Sequence, residues 1–274
     1  GTSKIAVNNI IKNIVLIAFI CLEQFCCHSN NSANSALAYN CESLKEPPFH
    51  GTIFIDSEIV TPDDISTFVR LSYDGRQERV MFDRRIANWI TIQPYLFPAI
   101  YDDNIQIEIQ VNPEFGSYQE AMIQAEKFAP VIGQLPTELR KDVKTVWIHR
   151  GDFPFGGGNN NLLIHTDYSV KNYEEQGILE ETLIHEAAHT SLDEYHAKDS
   201  LWLIAQEKDC GFISSYAQDH PYREDIAESY LPYFAVRFRA DRIPLSLKQK
   251  IELSMPNRIK YFDDQNYDMY PVLK

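Results

Sequence analysis

The stretch Leu179-Glu-Glu-Thr-Leu-Ile-His185-Glu186-Ala-Ala-His189-Thr-Ser-Leu-Asp193 constrains the fold more than any other part of the chain. It is rich in Leu, Glu and Ala, and no Gly or Pro occurs between Ile178 and His196, so the segment reads as a helix. On a helix, residues four apart lie on one face, a turn from each other. His185 and His189 therefore aim two imidazoles at one point, with Glu186 beside it. His-Glu-x-x-His in this geometry supplies two zinc ligands and a carboxylate that can polarise a zinc-bound water. The fold must then bring a second element against this helix, because a catalytic zinc takes three protein ligands and keeps a further position open.

The metzincin arrangement does not supply that third ligand. It needs a Gly three residues after the second His and a His three further on. Leu192 and Tyr195 occupy those positions, and His196 is one residue out of step. Asp193 shares the helical face but lies a turn beyond His189, which suits a carboxylate that orients an imidazole, or one that faces solvent, better than a ligand. The stronger candidate is Tyr222-Arg-Glu224-Asp225-Ile-Ala-Glu228-Ser-Tyr230. Glu224 and Glu228 again share a face, within an otherwise apolar segment expected to be helical from Arg223 to Arg239. One of the two can ligate zinc while the other orients a ligating imidazole through its far nitrogen. Stabilising an oxyanion needs a hydrogen-bond donor as well, and Tyr216, His220 and Tyr222 are the candidates.

A His-Glu-x-x-His helix followed by a second helix with Glu-x-x-x-Glu resembles the gluzincins, the thermolysin-like zinc peptidases. The stretch Ser215-Tyr216-Ala217 followed by Glu224-Asp225-Ile-Ala-Glu228 is similar in particular to peptidases related to anthrax lethal factor. The resemblance covers roughly residues 147 to 238. It implies that His185, His189 and Glu224 hold Zn2+, that Glu186 is the general base, that Glu228 orients a ligand, and that Tyr216 stabilises the oxyanion. The fold it implies is zincin-like and α+β, with a mixed sheet and an active-site helix. The activity it implies is hydrolysis of a peptide or protein substrate.

Before this region, Gly51–Ile55 reads as a first strand. The strand-like runs Phe68–Tyr73 and Glu78–Phe82 flank Asp74-Gly75, a hairpin signal. Asn104–Val111 alternates polar and apolar as a half-buried strand does. Ser117–Ile132 carries a helical apolar stripe ending at Gly133. Val143–His149 and Asn161–His165 are further strands. The second of these is expected at the sheet edge, where an extended peptide could pair with it and the run Gly156–Gly158 would permit close approach. His149 and His165 read as structural. The C-terminal tail reads as irregular.

With 274 residues, 44% of them hydrophobic, the chain can bury the core of one α+β domain, placed at residues 49–274. Fifteen Tyr and fifteen Phe favour an aromatic-rich, partly β core. The net charge of −14 argues against a nucleic-acid partner. Lys4 and Lys12 precede an apolar run from Ile14 to Leu22 that is too short to span a bilayer. Residues 1–29 are therefore expected to be a signal peptide and 30–48 a linker or arm, giving a secreted protein with no membrane contact after cleavage. Cys41 and Cys210 would remain as an even pair, expected to form a disulfide in that compartment. Arg150-Gly151-Asp152 offers the alternative of an adhesive or extracellular-matrix protein with an inactive or structural zinc site.

Overall fold

A computed structural model describes residues 41–56 and 58–273. The expected signal peptide, and the linker as far as residue 40, lie outside the described residues. The chain is α+β. A six-stranded mixed sheet runs in the order β1-β4-β5-β6-β8-β7, and a separate pair, β2-β3, stands beside it. The strands are β1 Phe68–Leu71, β2 Arg79–Asp83, β3 Asn88–Ile92, β4 Tyr95–Tyr101, β5 Gln106–Val111, β6 Thr145–His149, β7 Gly156–Gly158 and β8 Asn161–His165. The centre is parallel (β5 with β6, β6 with β8), and both edges are antiparallel (β1 with β4, β7 with β8).

Helices α1 Tyr118–Ile132 and α2 Thr137–Arg140 lie between β5 and β6, and α3 Thr166–Tyr168 runs on into a π-helical stretch, Ser169–Glu174. Then follow α4 Leu179–His196, α5 Ser200–Asp209, α6 Ser215–Asp219, α7 Asp225–Phe238, α8 Leu245–Ser254 and α9 Pro256–Asp263. Strands β6 and β8 carry apolar residues on both faces, as strands covered on both sides do. Val146, Ile148, Leu162 and Ile164 join the main core with Leu183 and Ala187 of α4. The alternate residues Trp147 and Leu163 meet Met81 of β2 on the other face. No helix among the described residues is long and apolar enough to cross a membrane.

Several local expectations are overturned. Asp74-Gly75 does not close a hairpin between β1 and β2. Instead Asp74 N–H donates to Leu96 O (2.9 Å) and Leu96 N–H to Gly75 O (3.0 Å), so the chain keeps pairing with β4. The buried, aromatic-rich β4 offers more apolar contact than the short amphipathic run after the turn, and long-range pairing wins. Gly133 does end α1 as expected, though in the right-handed region at φ −65°. Glycine is needed there because a Cβ would stand 2.4 Å from Ser66 Oγ and 2.8 Å from Phe68 N. β8 is an interior strand, and the glycine run itself, β7, is the sheet edge. The irregular tail expected at the C-terminus is in fact α8 and α9, whose apolar positions pack on α5 and α7.

Gly51–Ile55 is not a strand in either sheet. It is an irregular arm pinned by side chains: Gly51 N–H donates to Ser215 Oγ (2.8 Å), Ile53 N–H to Glu228 Oε2 (3.0 Å) and Ile55 N–H to Glu181 Oε2 (2.7 Å). Residues 41–48, the described part of the expected linker or arm, are bound too. Isolated parallel bridges join Lys45 to Gly211 and, just beyond, Phe49 to Ser214. Cys41 and Cys210 meet in disulfide geometry with their Cα atoms 5.7 Å apart, joining the arm to the end of α5.

Candidate metal centre

α4 is long and buried because it lies between the sheet and α7 and packs on both. Its seating against the sheet edge depends on one glycine. A Cβ on Gly157 would lie 1.9 Å from Glu186 O, so β7 can run beside this turn of α4 only without a side chain there. Thr190 fastens the same contact. Its hydroxyl accepts from Gly158 N–H (2.8 Å) and lies 2.8 Å from Asn161 O and 3.1 Å from Glu186 O. The helix that carries the motif is thus held against the edge strand by backbone contact.

The expected helical spacing is present. His185 and His189 turn their Nε2 atoms toward each other at 3.2 Å, and Glu224 Oε2 lies 3.1 Å from His189 Nε2 and 3.7 Å from His185 Nε2. These three residues form the one group among the described residues whose ligand atoms all lie within 4.8 Å of each other. A four-coordinate ion bound at about 2.1 Å sets its donors roughly 3.4 Å apart, so the triangle fits a shared ion. The chemistry of the donors agrees. Two imidazole nitrogens this close cannot both carry a proton directed at the other, and a cation between them satisfies both. Burial lowers the pKa of each histidine, yet Glu224 at His185, and Asp193 with Glu224 at His189, outweigh it and raise both. Burial opposes ionisation of Glu224, but the two histidines hold its carboxyl well below the usual range. The pocket favours positive charge.

Glu224 is not inside the second helix. It occupies the position just before α7, with its carbonyl accepting Glu228 N–H at 2.9 Å, so the one-turn relation of the two carboxylates survives. Glu228 is fully buried and faces His185: its Oε1 lies 3.6 Å from His185 Nδ1, outside hydrogen-bond range. Its Oε2 takes the Ser214 hydroxyl and Ile53 N–H, and burial pushes its pKa up to about 7. Asp193 Oδ2 sits 2.7 Å from His189 Nδ1 and orients that ring.

Glu186 is half-buried next to His185. Its charge reaches Tyr173, whose hydroxyl is pushed up first by burial and then by Glu186. The Tyr216 hydroxyl donates to Glu224 Oε1 (3.1 Å) and is raised to about 12, chiefly by burial. The expected oxyanion donor is therefore in the site but engaged on the carboxylate. His220 packs edge-on against the Tyr216 ring, and Tyr222 is exposed.

Residues not singled out from sequence complete the arrangement. Arg223 Nε donates to Glu224 Oε1 at 2.8 Å, a partner marked only by its adjacency to Glu224. Glu181, one turn before His185, is buried and holds the arm. His149 and His165 lie away from this group. His149 and His165 stack 5.5 Å apart within the sheet, and burial takes His149 down to about 4. In the Arg-Gly-Asp tripeptide, Arg150 stands over the Phe115 ring at 4.6 Å and Asp152 pairs with Lys171 at 3.4 Å. No protein-family model matches the chain, and neither a curated protein nor a solved structure matches it.

Proposed function

We propose that this chain is an exported zinc metallopeptidase of the gluzincin type, with a zincin-like fold, in which His185, His189 and Glu224 hold zinc. The observation that carries the reading is the convergence of these three donors, two from α4 and one from the residue just before α7, within 4.8 Å of one another, beside Glu186. Zinc is favoured by the donor set, two imidazoles and one carboxylate, which is a catalytic zinc set. When bound, zinc lowers the pKa of a coordinated water to about 7 and polarises the scissile carbonyl. Glu186 takes the proton from the attacking water and passes it to the leaving amine. The open side of β7 gives an extended peptide backbone a strand to pair with, beside the turn of α4 that carries Glu186. Tyr216 turns from Glu224 Oε1 to the developing oxyanion. A disulfide at Cys41–Cys210 suits an oxidising compartment.

The test is cleavage of a quenched peptide library by the protein and by Glu186→Gln, with zinc measured on both. Chelator-sensitive cleavage that is lost in the variant, with one zinc retained per chain, is the expected result. Absence of zinc from both proteins would overturn the reading.

A further inference from the structure

We propose that Arg223 is a positioning residue that confines Glu224 to a single ligating oxygen and so keeps one position of the metal open. The inference rests on the reading of His185, His189 and Glu224 as metal ligands. A carboxylate can ligate through one oxygen or through both, and the second oxygen adds a fifth donor that crowds the position a water needs. In this structure the two oxygens of Glu224 have different surroundings. Oε2 faces the histidine Nε2 atoms at 3.1 and 3.7 Å. Oε1 is loaded from the other side by Arg223 Nε at 2.8 Å and the Tyr216 hydroxyl at 3.1 Å.

The two donors on Oε1 are not equivalent. Arg223 makes a charge-assisted bond, stronger than a neutral one. It directly precedes Glu224 in a turn fixed by Arg223 N–H and Glu224 N–H, both donating to His220 O at 3.1 and 2.9 Å. Its Nη2 also reaches the Tyr216 oxygen at 3.5 Å. Tyr216 contributes a single neutral hydroxyl, which one side-chain rotation removes. With Arg223 in place, Tyr216 can leave for a substrate oxygen without releasing Oε1 toward the metal. An exposed ion pair alone would do little, but here the acceptor is buried, its side chain 8% exposed against 43% for the arginine. That exposure also leaves a path for a small cation from solvent.

The test uses Co2+ and Zn2+ as probes on the full chain, with Arg223→Ala, Arg223→Lys and Tyr216→Phe. Zn2+ affinity is read by competition with a chromogenic chelator, and coordination number by the visible absorption of the Co2+ form. The wild type is expected to give a four-coordinate Co2+ spectrum. Arg223→Ala should bind Zn2+ about 10- to 100-fold more weakly and shift the Co2+ spectrum toward five-coordination. Added guanidinium should restore both, and Arg223→Lys should recover them only in part. Tyr216→Phe should keep the wild-type spectrum. An Arg223→Ala protein that folds, as judged by its melting curve without metal, and keeps the wild-type affinity and spectrum would overturn the proposal. So would a spectrum that changes in Tyr216→Phe and not in Arg223→Ala. A wild type that binds neither ion would overturn the metal reading itself, and this proposal with it.

Discussion

Gly157→Ala isolates the contact that seats the motif helix. A Cβ there would stand 1.9 Å from Glu186 O, 2.7 Å from its carbonyl carbon and 3.0 Å from its Cα. All three atoms are backbone, so no side chain can swing aside. Restoring an ordinary 3.4 Å contact requires β7 and α4 to separate by roughly 1.5 Å. That separation strains the Gly158 N–H to Thr190 bond, 2.8 Å long, and the β7–β8 pairing. Overpacking of this kind costs about 1–3 kcal/mol, and a weakened hydrogen bond adds about 1 kcal/mol. The lower unfolded-state entropy of alanine offsets about 0.4–1 kcal/mol. The net expectation is a loss of about 1–3 kcal/mol in urea unfolding. On the proposed peptidase reading, peptide cleavage should fall about 100-fold, the scale that a 1 Å misplacement of a catalytic group produces. Gly158→Ala is the control. Its φ of +109° strains any side chain, but nothing lies within 4 Å of the added Cβ. It should lose stability while keeping wild-type zinc affinity. A Gly157→Ala protein with unchanged stability and cleavage would refute the close-approach argument.

Four further outcomes follow from the same geometry. Asp193→Ala removes the partner of His189 Nδ1 and should weaken Zn2+ binding about 10- to 100-fold in a chelator competition. Cys41→Ser opens a disulfide that spans 169 residues. It should cost about 2–5 kcal/mol in denaturant unfolding and make stability insensitive to reductant. Arg258→Met leaves the buried Asp209 and Asp225 without the guanidinium that now lies 3.0 and 2.9 Å away, a loss of about 3–5 kcal/mol by the same measurement. Glu181 is fully buried, and burial raises its pKa from 4.5 to about 7. The unfolded chain releases this proton near 4.5 and the folded protein near 7, so the contribution is complete below 4.5 and lost as pH rises through 7. The stability of wild type relative to Glu181→Gln should therefore fall by up to about 3 kcal/mol across that window. Parallel pH profiles for the two proteins would count against a buried, protonated Glu181.

The parts of the site that could be read from sequence are those governed by helical spacing. His185 and His189 converge because four residues make one turn, and the pairing of His189 with Asp193 follows the same rule. Glu224 and Glu228 keep that relation even though α7 begins only at Asp225. What spacing cannot convey is the environment on the far side of each helix. Gly156–Gly158 is conspicuous in the sequence, but its role as the edge strand depends on where β8 pairs. β8 sits inside the sheet because β6 accepts it in parallel register over five residues. The Asp74-Gly75 signal failed for a related reason. A turn dipeptide biases a few dihedrals, while β4 offers a whole buried strand to pair with.

The partners of the three converging side chains carry this contrast into chemistry. Both histidines are backed by carboxylates: Asp193 at 2.7 Å from one Nδ1, and Glu228 at 3.6 Å from the other. A hydrogen-bonded carboxylate behind an imidazole fixes the tautomer and strengthens the opposite nitrogen, as Asp193 does for His189, whereas Glu228 faces His185 from beyond hydrogen-bond range. Glu224 is already an anion and needs the opposite, and Arg223 supplies it at 2.8 Å. The backing of His189 and of Glu224 is local in sequence, four residues away and one residue away. The backing of His185 is not local. Glu228 is oriented by Ser214 and by Ile53 of the N-terminal arm, and the arm is joined through Cys41 to Cys210. His185 is therefore the member of the group whose surroundings depend on the most distant parts of the chain. Damage to the arm should disturb His185 before it disturbs His189, because no bond of the arm reaches Asp193 among the described residues.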